Sequence, residues 1–278
     1  MAADKERIDV LLVEQGFFSS REKAKAAVMA GLVLIDQEKV EKAGMKIPRS
    51  SVLSVKAAPH PYVGRGGLKL EKALHAFDLD MTDVVMMDIG ASTGGFTDCA
   101  LQHGAKYVYA IDVGYNQLDW SLRNNEKVCV MERTNFRHTE PEDIKGMQPT
   151  FATIDVSFIS LQLILPPLQK ILKTEGQIVA LIKPQFEAGK ENIGKSGVVR
   201  DKKVHKQVLV KTLTFAHQLG FTLKGLTFSP IRGSEGNIEF LAYWKVEHNK
   251  SDDQSNDDST FFYSMEQTIE DVVDKAWS

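Results

Sequence analysis

The 278-residue chain is poor in the features that mark several protein classes. It has two cysteines, Cys99 and Cys129, with no CxxC or Cys/His spacing, so neither a disulfide framework nor a metal site is encoded. Reduced thiols in a cytoplasmic protein are the expectation. No apolar run approaches the ~18 residues a membrane helix needs, and no secretory apolar region follows MAADKERIDV, so neither export nor membrane insertion is expected. The Gly-x-Gly-x-x-Gly of a dinucleotide cradle is also missing. Charge of one sign is scarce overall, at a net −3, but it is unevenly spread. From Glu247 to the end nine acids face only Lys250 and Lys275, so −3 overall and −7 in the tail leave +4 for the body. A mildly basic body permits a nucleic-acid partner.

With 43% hydrophobic and 26% charged residues the composition is that of a globular protein long enough for two domains. Its organising stretch is VVMMDIGASTGGFT, residues Val84 to Thr97. Val84 to Met87 do not alternate, which suits a parallel strand covered on both faces and ending at Asp88. The loop Gly90, Ala91, Ser92, Thr93, Gly94, Gly95 and Phe96 then lets a ligand approach main-chain N–H groups at a helix start. An acid at that strand end repels a pyrophosphate but suits a cationic adenosyl ligand, and S-adenosylmethionine carries an ammonium and a sulfonium. The next apolar run, Tyr107 to Ile111, ends on Asp112, where a carboxylate can accept from both ribose hydroxyls. The strand KVCVMER leads towards Asn135, placed to read an adenine edge.

Residues 1–58 read as a separate small module. A helix covers Arg7 to Gln15 and stops at Gly16; a second, capped by Ser19 or Ser20 and ended by Gly31, buries Ala24, Ala27 and Val28. Short strands follow at Leu32–Ile35 and Val52–Val55. RIDVLL, SREKAKAAV and GLVLIDQEKV resemble the S4-like RNA-binding domain, with Asp36–Gln37 where that pattern usually has asparagine–glycine. Basic residues recur on one helix and the adjoining hairpin, an RNA footprint directed at phosphates and shape. The candidate contacts are Arg7, Arg21, Lys23, Lys25 and Lys39, with Arg65 in the connecting residues 59–66.

The second domain, residues 67–246, opens with a helix at Gly67 that carries Lys69 among apolar neighbours. A helix through Gln117–Asn124 follows Asp112, and TFATIDVSFIS and GQIVALIKPQF supply strands ending at Asp155 and Lys183. Between them Leu161–Leu172 forms a helix that Pro166 and Pro167 kink or divide. After a helix over Val204–Leu219, FTLKGLTFSPI and NIEFLAYWKV are joined so closely that only an antiparallel hairpin fits. The expected fold is α/β: a mostly parallel seven-stranded, Rossmann-like sheet with its last strand antiparallel, which gathers Asp155, Lys183 and Glu239 at one edge. An acidic linker over residues 247–260 and an amphipathic helix over 261–278, with Ile269, Val272, Val273 and Ala276 on one stripe, complete the chain.

YVGRGGLKLEKAL, DIGASTGGFTDCAL, IDVGYNQL, ERTNFR, DVSFIS, LIKPQFE and GNIEFLAY resemble the TlyA family, historically haemolysin A, in which an S4-like domain precedes an FtsJ-like ribose methyltransferase domain. Gly64 is often serine in that family. The resemblance implies an S-adenosylmethionine-dependent methyltransferase acting on the 2′-hydroxyl of ribosomal RNA, with the catalytic tetrad Lys69, Asp155, Lys183 and Glu239. The cofactor set it supports is Asp88, the loop residues 90–96, Asp112, Asn135 and Asp155. A hydroxyl attacking a methyl group needs a proton acceptor, and an ordinary lysine is protonated at neutral pH. Two neighbouring, partly desolvated lysines would weaken each other's charge, making Lys183 the base, with Lys69 holding the hydroxyl or phosphate and Asp155 near the methyl carbon. Two other classes stand against this. A membrane-lytic protein, suggested by the family's older name, finds no lytic or spanning segment, and a non-catalytic RNA-binding protein would not need the tetrad.

Overall fold

The computed structural model describes residues 4–18, 20–29, 31–40, 42–55, 60–173, 175–247 and 257–278. Ser19 and most of the acidic stretch after Glu247 lie outside the described residues, as do Lys56 to Pro59. The chain divides into two compact units, Met1–Pro61 and Tyr62–Ser278.

The first unit contains β1 (Lys5–Arg7), α1 (Ile8–Glu14), α2 (Arg21–Met29), β2 (Val33–Ile35), β3 (Glu38–Lys39), β4 (Lys46–Pro48) and β5 (Leu53–Val55). β1 pairs with β4, and β2 lies between β3 and β5. Ile8, Leu11 and Leu12 of α1 meet Ala24, Ala27 and Val28 of α2 in one core. Ser20 caps α2, its Oγ accepting from Lys23 N at 3.3 Å. The β2–β3 turn has Asp36 at φ 48° and Gln37 at φ 77°. Both central residues are thus left-handed, the geometry that asparagine–glycine favours, reached here without glycine. Asp36 Oδ1 accepts from Val52 N at 3.2 Å and helps to hold it.

The second unit contains α3 (Gly67–Phe77), β6 (Val85–Ile89), α4 (Gly95–Gln102), β7 (Tyr107–Ile111), α5 (Trp120–Arg123), β8 (Val128–Met131), β9 (Phe151–Ile154), α6 (Leu165–Ile171), β10 (Gln177–Ile182), α7 (Pro184–Glu187), α8 (Lys202–Gln218), β11 (Phe221–Phe228), β12 (Phe240–Val246) and α9 (Asp257–Trp277). The sheet order is β11-β12-β10-β9-β6-β7-β8. β12 runs antiparallel to both neighbours, so the reversed strand is inserted beside β10 and leaves β11 at the edge. All five residues of β6 are buried because helices cover both faces. Leu70, Ala73 and Leu74 of α3 pack on one face with Phe96 and Cys99 of α4; α6 and α8 close the other. The chain leaves β8 at one edge and returns as β9 beside β6, so the order reverses at β6, where α/β sheets open a ligand crevice.

Two expectations need correction. The helix after Asp112 is only α5, four residues long, because the chain first loops out and starts a turn only where Asp119 Oδ1 accepts from Ser121 N at 2.9 Å. Asp88 lies inside β6, paired in register with Thr153 of β9, and not at the strand end. The segment 161–172 does divide, into a 3-10 turn over Leu161–Leu163 and α6, with proline in the first turn of α6.

Candidate active site

Glycine is required at Gly90, which has φ 88°, and a Cβ there would come 2.6 Å from the Asp155 carbonyl oxygen. The turn therefore brings the end of β6 against the end of β9. Asp112 fastens the loop from the other side: Oδ2 accepts from Ser92 N at 2.8 Å and Oδ1 from Gly114 N at 2.6 Å. Each oxygen keeps a further lone pair, so the carboxylate is already aimed and can still accept from a ligand diol.

Asp88 also has a supporting task that its sequence position does not show. It is wholly buried and accepts from Thr97 N at 3.0 Å, Thr97 Oγ1 at 2.7 Å and Thr153 Oγ1 at 3.0 Å. Burial pushes its carboxyl up to about 6 against those donors. It ties the first turn of α4 to β6 and β9 and so supports the glycine loop from beneath. Asn135 is exposed and opens the 3-10 turn Phe136–His138.

A cavity of about 270 Å³ lies over these strand ends, lined by Asp88, by Gly90, Ala91, Ser92, Thr93, Gly95 and Phe96 of the loop and by all four tetrad residues. Neither Gly94, Asp112 nor Asn135 is among its lining residues. The tetrad forms one connected chain of charges. Lys183 Nζ is 2.6 Å from Asp155 Oδ1, Lys69 Nζ is 3.2 Å from Asp155 Oδ2, and Lys69 Nζ is 2.8 Å from Glu239 Oε2. Lys69, Lys183 and Glu239 are 8%, 7% and 3% exposed, so pairing is what makes these charges tolerable.

For Lys69 the electrostatics revise the expectation of a weakened charge. Burial opposes the Lys69 charge, but the Asp155 and Glu239 carboxylates outweigh it and raise Lys69 above the ordinary lysine value. Burial likewise opposes the Asp155 charge, and Lys183 and Lys69 together bring that carboxyl below its usual range. Two cations and two anions balance, with Lys69 between two acids and Lys183 against one acid and the Ser157 hydroxyl, 3.1 Å away.

Several residues here were not singled out from sequence, although DVSFIS and LIKPQFE contain most of them. Gln185 Nε2 donates to Glu239 Oε1 at 3.1 Å. Glu187 accepts from Ser160 Oγ at 2.6 Å and Leu161 N at 2.7 Å, fixing the loop after β9. That loop holds Phe158 at φ 62° and 89% exposed, its ring centroid 5.0 Å from that of Phe186. Arg65, expected as an RNA contact, and Arg232 also line the cavity and are exposed.

In the first unit the expected RNA contacts divide. Arg7 Nε and Arg21 Nη2 lie 2.9 and 3.0 Å from the carboxylate of Asp9, which is fully buried. The two arginines hold Asp9 well below the usual carboxylate range, at about 2, and are partly committed to the fold. Lys23 and Lys39 are exposed and Lys25 is half-buried.

Residues 62–246 match the FtsJ-like methyltransferase family and residues 6–53 match the S4 domain. The chain is 38% identical over 250 residues to the 16S/23S rRNA (cytidine-2′-O)-methyltransferase TlyA of Mycobacterium tuberculosis, covering 90% of this chain and 93% of that one. The chain belongs to the TlyA family. Among other members, Hemolysin A of Brachyspira hyodysenteriae is 40% identical over 86% of this chain and 100% of its own length. A solved Streptococcus thermophilus structure, described as a hemolysin, superposes with a TM-score of 0.73 at 51% identity, over 99% of this chain and 98% of that one. In this TlyA-family chain no helix among the described residues is long and apolar enough to cross a membrane.

The donor set fits S-adenosylmethionine. The glycine loop admits close backbone approach, Asp112 is oriented as a diol acceptor, and the carboxylates Asp88 and Asp155 stand in the cavity wall beside that loop.

Proposed function

We propose that this TlyA-family protein methylates a ribose 2′-hydroxyl of ribosomal RNA, on a cytidine as the name of its M. tuberculosis relative states for that enzyme. The observation that carries this reading is the Lys183–Asp155–Lys69–Glu239 chain of ion pairs beside the glycine loop. S-adenosylmethionine, when bound, supplies an electrophilic methyl group on a sulfonium. The loop from Gly90 to Gly95 would hold it, with Asp112 accepting from its ribose. Asn135 is the candidate reader of its adenine edge.

Lys69, kept charged by two carboxylates, donates to the substrate oxygen and steadies the charge that grows there. Lys183 has one carboxylate where Lys69 has two, and it serves as the base. Its Nζ takes the hydroxyl proton as the oxygen attacks, and Asp155, 2.6 Å away, receives the resulting ammonium. Asp155 thus works through both lysines. The exposed Phe158 ring offers a flat apolar face for the target base at the cavity mouth.

The test is transfer of labelled methyl from S-adenosylmethionine to ribosomal RNA, with 2′-O-methyl positions mapped with and without the protein. New modification at a cytidine is expected. RNA bound without modification would instead indicate a non-catalytic RNA-binding protein, and lysis of erythrocytes by the pure protein would indicate a membrane-lytic one.

A further inference from the structure

Lys69 engages only one oxygen of Glu239, so something else must hold the other. The Gln185 amide does so, 3.1 Å from Oε1. A carboxylate only accepts, which forces the amide nitrogen towards Glu239 and fixes the orientation of the Gln185 side chain. Gln185 stands two residues after Lys183, in the single turn of α7. The segment 183–185 therefore grips both ends of the tetrad, Asp155 through Lys183 and Glu239 through Gln185, with Lys69 between the two acids.

Resting on the reading of the tetrad as a methyl-transfer site, we propose that Gln185 is a positioning residue for that reaction. It holds Glu239 so that Oε2 faces Lys69, which keeps Lys69 aimed as the charged donor. A purely structural role does not account for the amide. Gln185 is 8% exposed and its Oε1 is a buried acceptor without a partner among the described residues, a cost that an apolar side chain of the same length would not incur.

Two variants test this in the full-length protein, with methyl transfer to ribosomal RNA followed across pH. Gln185→Met keeps the length and removes the donor. Its kcat should fall about tenfold, the scale of one hydrogen bond, with a melting temperature no lower than that of wild type. Gln185→Glu sets a carboxylate against Glu239, and the added negative charge favours the protonated lysines. The rising limb of kcat against pH should then move to higher pH by about one unit. If Gln185→Met retains kcat within twofold, or if Gln185→Glu loses rate equally at every pH, the positioning role is wrong while the functional reading stands. A wild-type protein that methylates no RNA overturns both.

Discussion

Lys69 and Lys183 share Asp155, but only Lys69 has a second carboxylate, and the proposed division of roles rests on this asymmetry. Lys183→Met keeps the apolar stem and cannot take a proton, so transfer should drop by ~10²–10⁴-fold with both ligands still bound. Lys183→Arg should fail as well, because arginine stays charged. Wild-type kcat should rise with pH, and the methionine variant should lack that limb; a variant within about tenfold of wild type and with the same profile would move the base to Lys69 or water. At Asp112 the two loop N–H groups pre-aim the carboxylate, so Asp112→Ala should both loosen the loop and remove the diol acceptor. Charge-assisted hydrogen bonds are each worth about 1.5–3 kcal/mol, so calorimetry should show cofactor affinity weakened at least tenfold. Unchanged affinity in the folded variant would remove Asp112 from the site. The tetrad was legible in sequence because Asp155 and Lys183 directly follow apolar strands and parallel strands share an edge. Its charge balance was not, since Lys69 meets Glu239 across 170 residues. The supporting bonds of Asp88 were equally invisible, since its partners Thr97 and Thr153 lie 9 and 65 residues away.

At the scale of elements, α9 shows how a stripe read from sequence becomes an attachment. Ile269, Val272, Val273 and Ala276 are buried in the main core with Met265, as part of the cluster that includes α8 and β12. Burying a large apolar side chain contributes about 1.5–3 kcal/mol, so the docked stripe outweighs the acidic character of the tail. The polar part of the attachment was invisible from sequence because its partners lie 72 residues apart: Trp277 Nε1 donates to His205 Nδ1 at 3.1 Å. An indole N–H can only donate, so Nδ1 must be unprotonated. Burial lowers His205 to about 4 from an ordinary 6.5. The unfolded chain therefore binds the proton first, so this contribution is complete above pH 6.5 and declines as pH falls towards 4. The shift corresponds to roughly 3 kcal/mol at most. His205→Leu removes both the titrating ring and the acceptor for Trp277. Its melting temperature should fall less steeply than that of wild type between those two pH values, and parallel curves would mean that His205 is not the responsible group. Short elements were read less well than long ones. α5 came out shorter than expected and α7 was not anticipated, because single turns are set by local caps such as Asp119 and by proline, not by hydrophobic periodicity.

For the whole molecule, the candidate site and the cationic surface fall in different units: every tetrad residue and the glycine loop belong to Tyr62–Ser278, while the cationic helix and hairpin belong to Met1–Pro61. Proline and glycine cluster where the two units part, and the small core followed from the spacing of Ala24, Ala27 and Val28. What sequence could not separate was cations free to meet RNA from cations already engaged. Arg21 stands twelve residues from Asp9 and reads as a surface charge, yet its removal would leave a fully buried carboxylate with Arg7 as its remaining cation. Arg49 is similarly drawn towards Glu14, at 2.9 Å, and Glu6, at 3.4 Å. A test of the RNA footprint must therefore leave those arginines in place and change Lys23, Lys25 and Lys39 together to glutamine. None of the three has an ion pair among the described residues. Each phosphate contact on single-stranded RNA contributes about 0.7 to the slope of log affinity against log salt. If all three meet phosphates, the slope should become shallower by about 2 and affinity should fall most at low salt. Cofactor affinity should not change, since its site uses only residues of the second unit. A triple variant that binds ribosomal RNA with the wild-type salt slope would show that these lysines are solvated charges, leaving Arg65 and Arg232 at the cavity as the cations that meet the substrate.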